Sequence, residues 1–121
     1  MELFVYGDLM RGLPRHAELA GAEFVATART APRYALFAID GDYAALSGAG
    51  GAGVAVAGEL YRLAEPLCAE ILSREPAPIY LGYVVLENGR AVESPMCWRG
   101  ATEGYRDLSS LGCWRAYRLS K

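Results

Sequence analysis

The dipeptide Asn88-Gly89 divides two runs of β-favouring residues, 79–87 (IYLGYVVLE) and 90–98 (RAVESPMCW). Asn-Gly between such runs is a strong local signal for a β-hairpin, because a tight primed turn needs residues that tolerate positive φ. Two antiparallel strands therefore anchor the second half of the chain. The first half supplies more of the same kind. Residues 3–6 are an apolar run that stops at Gly7, and residues 23–29 and 33–39 alternate well enough for two strands separated by a turn around Pro32. The segment DGDY at 40–43 reads as a further turn, and residues 54–63 resume as a strand. The clearest helix covers 64–74. There Leu63, Leu67 and Ile71 recur at spacings of four, Pro66 sits early where a helix tolerates it, and Pro76 and Pro78 end it. A short helical turn fits residues 16–19 after Pro14. Strands outnumber helices, so the expected fold is α+β: one domain over residues 1–121, a small, mostly antiparallel β-barrel of about six strands with one main packed helix.

A chain of 121 residues with 53% hydrophobic and 21% charged side chains is long enough to bury its own core. A net charge of −2 with scattered basic residues leaves no footprint for nucleic acid. The start, MELFVYGDLM, lacks the basic and long apolar regions of a signal peptide, and no later stretch has the length of a membrane span, so a cytoplasmic protein is expected. Cys68, Cys97 and Cys113 show no CxxC spacing, and His16 is the one histidine. Neither a disulfide framework nor a metal centre is expected, and no cofactor motif is present.

The glycine-rich stretch at 47–53, SGAGGAG, lacks the GK[ST] of a phosphate loop and reads as a flexible surface loop. In the following strand Ala55, Ala57, Glu59 and Tyr61 share one face. If the alanines line a cavity, Glu59 points into it. If they pack under a helix, Glu59 needs a partner to offset a buried charge. Trp114, Tyr117 and Leu119 mark a tail that packs onto the body of the domain, since leaving large aromatics in water forfeits their burial energy.

Residues 3–12, LFVYGDLMRG, resemble the opening strand and YGxL loop of gamma-glutamylcyclotransferase-like (AIG2-like) proteins, with Asp8 where that family often has Ser or Thr. GLPRHAEL, VAVAGELYRL and ILSRE match further family segments in the same order. The second half is more specific. EPAPIYLGYVVLENGRAVESPMC and RDLSSLGCWRAYRL resemble the allophanate hydrolase C-terminal domain. Nothing in the chain resembles the Ser-Ser-Lys signature of the amidase module of those hydrolases.

The resemblance implies an enzyme without a cofactor, acting on a γ-glutamyl amine or a carbamate- or allophanate-derived compound, with Glu75 as the catalytic acid–base group. Among apolar neighbours such a carboxyl is pushed towards neutrality and can both take and return a proton. The implied substrate contacts are the loop Tyr6, Gly7, Asp8 and Leu9, together with His16, Glu59 and Tyr80. Backbone N–H groups of the loop would hold an anion, since glycine allows close approach. Asp8 fits such a site when its charge points away or pairs with Arg11. The loop and Glu75 are expected to border one pocket. The competing reading is a non-catalytic binding or assembly module for a separate amidase. The expected partners are a small-molecule substrate, with an amidase subunit or further copies of the chain as alternatives.

Overall fold

A computed structural model describes residues 1–41 and 43–120. The expected turn at 40–43 includes Asp42, which lies outside the described residues, as does Lys121 of the tail. Eight strands and two α-helices follow in the order β1 Glu2–Val5, β2 Glu23–Arg29, β3 Tyr34–Ile39, β4 Tyr43–Gly48, β5 Ala57–Arg62, α1 Glu65–Ser73, β6 Ile79–Val85, β7 Ala91–Cys97, β8 Arg106–Asp107 and α2 Trp114–Leu119. A 3-10 turn at His16–Leu19 lies between β1 and β2.

The strands form a five-stranded sheet, β2-β5-β1-β7-β6, and a three-stranded sheet, β4-β3-β8. Among the described residues all strand pairings are antiparallel except that of β1 with β7. The α+β class and the antiparallel bias agree with the sequence reading. The described strands do not close into one hydrogen-bonded barrel, and there are eight of them rather than six. The two strands beyond the expected six are β4, whose ends fall in the stretches read as a turn at 40–43 and a loop at 47–53, and β8, which has two residues and no apolar side chain.

β1 lies in the middle of the large sheet, and Leu3, Phe4 and Val5 are at most 1% exposed. Covered on both faces, it reads as a continuous apolar run rather than an alternation. Next to it, β5 must carry glycine at position 58. A Cβ there would stand 2.4 Å from the Phe4 ring and from the Val5 carbonyl oxygen. The strand expected from residue 54 begins regularly at Ala57, while Val54 makes an isolated bridge to Tyr34. At the hairpin, Leu86 N donates to Arg90 O and Gly89 N to Leu86 O, and Gly89 has φ +88°. Asn88 does not share that sign, so the connection is a three-residue loop, 87–89, rather than the two-residue primed turn the dipeptide suggested.

In α1, Pro66 occupies the first turn and Cys68 and Ile71 are buried. Beyond its end, Glu75 N donates to Leu72 O and Ile79 N to Pro76 O, so the backbone of Glu75 is fixed by the last turn of the helix. Two phenols join the sheets: Tyr34 OH in β3 accepts from Val85 N in β6 at 2.8 Å, and Tyr6 makes a second link. Tyr6 OH donates to Pro95 O in β7 at 2.7 Å and accepts from Leu46 N in β4 at 3.2 Å. No described helix is long and apolar enough to cross a membrane.

Candidate active site

Where β1 ends, the chain turns through Gly7, Asp8 and Leu9, with Met10 N donating to Gly7 O at 3.1 Å. Gly7 passes close to β4, since a Cβ on it would lie 3.1 Å from Ala44 Cβ. Among the described residues the N–H groups of Gly7, Asp8 and Leu9 have no hydrogen-bond acceptor. The loop borders a cavity of about 40 Å³ whose other walls include Arg15, Tyr43, Glu75 and Pro95. Tyr6, Gly7, Asp8, Leu9 and Glu75, separated by some seventy positions in the chain, meet around this one space.

The Glu75 side chain is 8% exposed and accepts from Arg15 Nη1 at 2.9 Å. Burial pushes its carboxyl above the ordinary glutamate value. The Arg15 charge and hydrogen bond pull the other way without cancelling that effect, and the negative charges of Glu18 and Asp8 add to the rise. Tyr6 lies beneath, its phenol raised by burial and then by the Glu75 charge, so it stays a neutral hydrogen-bonding bridge. Asp8 is paired, but not with Arg11. It accepts from Trp114 Nε1 at 2.7 Å and from Arg118 Nε and Nη2 at 3.1 and 2.7 Å. Helix α2 thereby draws the Asp8 charge toward itself and offsets it with the Arg118 cation.

Three of the sequence candidates stand elsewhere. Glu59 is 1% exposed and does not line the cavity. Its Oε1 accepts from Arg11 N and Tyr61 OH, both at 2.9 Å, and its Oε2 from Arg115 Nη2 at 3.0 Å and Arg11 Nε at 3.3 Å. Burial alone would raise Glu59, yet these donors together hold it below the ordinary value. His16 turns its Nδ1 to the Leu9 carbonyl at 2.9 Å, bracing the back of the loop. Tyr80 is half exposed over a separate groove of about 300 Å³ between α1 and β6. Strand alternation sends it away from Glu75.

Reasoning from the sequence missed Arg15, Tyr43, Trp114 and Arg118. Arg15 stood beside His16 in GLPRHAEL, and the spacing of Trp114 and Arg118 by four could have marked one helix face. No described cluster of three or more His, Cys, Asp or Glu side chains could hold a metal.

Residues 1–119 match the family described as the allophanate hydrolase C-terminal domain. The chain belongs to this family. A curated relative, the urea amidolyase of Saccharomyces cerevisiae, is 29% identical over 126 residues, covering 97% of this chain and 7% of the relative. The chain thus spans a small fraction of that curated relative. Among solved structures, a uropathogenic E. coli-specific protein is 32% identical, with a TM-score of 0.91 over 98% of this chain and 94% of that one. The Kluyveromyces lactis allophanate hydrolase is 25% identical, with a TM-score of 0.88 over 98% of this chain and 21% of that one. An AIG2-like protein from Mus musculus, 23% identical with a TM-score of 0.64 over 85% of this chain and 79% of that one, shares the fold. The same domain therefore occurs both in a chain of similar length and within much larger enzymes.

Proposed function

We propose that this domain is an acid–base enzyme for a small carbonyl compound, with Glu75 carrying the proton and the N–H groups of Gly7, Asp8 and Leu9 receiving negative charge. The observation that carries this reading is that a raised, buried carboxyl and three backbone donors without an acceptor among the described residues belong to residues lining one cavity. Donors fixed before substrate arrives need no reorganisation as charge develops, and a carboxyl raised above its ordinary value holds and returns a proton more readily than an exposed one. Between the two substrate classes, the narrow cavity favours a carbamate- or allophanate-derived compound over a γ-glutamyl amine. The family's occurrence within an allophanate hydrolase and a urea amidolyase points the same way.

The alternative is a binding or assembly module for an amidase. It is favoured by the domain's place inside larger chains and by the ion pairing of both cavity carboxylates. The deciding experiment is turnover of carbamate donors and γ-glutamyl amines by the wild type and by Glu75→Gln. Loss of turnover with ligand affinity kept within a few fold supports the enzyme. Turnover in neither protein, with binding to an amidase intact, supports the module.

A further inference from the structure

Four charges of alternating sign run from the surface to the cavity. Arg74 Nη1 lies 3.5 Å from Glu18 Oε1, Glu18 accepts from Arg15 Nε and Nη2 at 2.8 and 2.9 Å, and Arg15 Nη1 reaches Glu75 at 2.9 Å. The outer end is wet and the inner end dry, with side-chain exposures of 48%, 23%, 26% and 8% along the series. The pattern of contacts is informative. A guanidinium offers a side-on edge, Nε with one terminal nitrogen, that matches both oxygens of a carboxylate. Arg15 gives that edge to Glu18 and leaves Glu75 a single prong.

We propose that Glu18 is a positioning residue for the cavity: by gripping the side-on edge of Arg15 it prevents that cation from closing on Glu75 with two prongs. The proposal rests on the reading of Glu75 as the proton carrier. A carboxylate chelated by arginine is held ionised and serves poorly as an acid, whereas a single contact orients it and leaves one oxygen open. Glu18 lies in the 3-10 turn that Arg15 immediately precedes, so the grip is set locally, while Arg74 precedes Glu75 directly and ties that turn to the end of α1. The other groups facing Glu75 are Asp8 from the loop, Tyr6 beyond β1 and Tyr43 of β4. Asp8 is occupied by Arg118 and Trp114, and both phenols are raised by burial, so Arg15 is the cation whose reach decides the state of Glu75.

The test is the titration of Glu75 in protein labelled at the glutamate carboxyl carbon, followed by NMR in the wild type, Glu18→Gln and Arg74→Gln. Removing the charge of Glu18 releases Arg15 toward Glu75 and removes a like charge, so the Glu75 midpoint is expected to fall by about one pH unit. Arg74→Gln leaves Glu18 less neutralised, and the midpoint is expected to rise by a smaller amount. An unchanged or higher midpoint in Glu18→Gln, or a lower one in Arg74→Gln, overturns the proposal. In an active protein, that fall in the midpoint should also lower the kcat of Glu18→Gln near neutral pH about tenfold while KM stays constant. A wild type that turns over no substrate would end the catalytic reading of Glu75, yet the titrations would still decide the role of Glu18.

Discussion

Glu59 and Glu75 are both largely withdrawn from water, and the protein treats them oppositely. Around Glu59 four donors converge from three parts of the chain, and their hydrogen bonds outweigh the cost of burial. Glu75 receives one donor, and burial prevails. Burial alone therefore does not mark a reactive carboxyl. The balance between desolvation and the number of donors does, and it separates a structural strut from a group able to change its proton.

The strongest challenge to this contrast is exchange of each glutamate for glutamine. On the proposed acid–base reading, Glu75→Gln should lose turnover by about 10²–10⁴ while remaining folded, because it would remove the proton carrier and little binding. Glu59→Gln should instead lose about 2–3 kcal/mol of stability in urea unfolding, since several charge-assisted hydrogen bonds disappear while Arg11 and Arg115 keep access to water. Equal stability losses in the two variants would erase the distinction.

Acid titration of stability tests the same contrast with opposite signs. The value of Glu75 is raised in the folded state, so its contribution to stability is fully present below the unfolded value near 4.3 and is lost as pH rises through the folded value. Glu59 is lowered in the folded state, so its contribution is present above about 4.3 and disappears as pH falls through the folded value. Denaturant midpoints followed from about pH 8 to about pH 2 should show the upper slope vanish in Glu75→Gln and the lower slope weaken in Glu59→Gln.

The smallest effect concerns the loop beside the cavity. Asp8→Asn retains an acceptor for Trp114 but loses the charge facing Arg118, and should cost about 1 kcal/mol in thermal unfolding. A larger loss confined to turnover would place Asp8 in the chemistry rather than in the wall.

The contrast was only half legible in the sequence. Glu75 follows a well-marked helix and precedes two prolines, so local rules put it at a helix end, and the family resemblance linked it to the YGDL loop. Glu59 could not be read in the same way. Its strand lies inside a sheet covered on both faces, where Leu60 and Tyr61 are equally buried and alternation no longer reports exposure. The partners of Asp8 were hidden by distance, being 106 and 110 positions away on a helix of six residues. Local patterns gave the positions of charged side chains, but the pairing among them depends on which distant segments meet.

The phenol of Tyr6 has a mechanical consequence. It is the residue before Gly7, and its oxygen ties β7 to β4 immediately under the loop 7–9. A movement that widened the narrow cavity by parting the sheets would have to break one of these two bonds. The mouth of the site is thus latched from below, and the Leu46 amide, which points at the latch, would exchange its hydrogen with solvent at the rate at which the latch lets go.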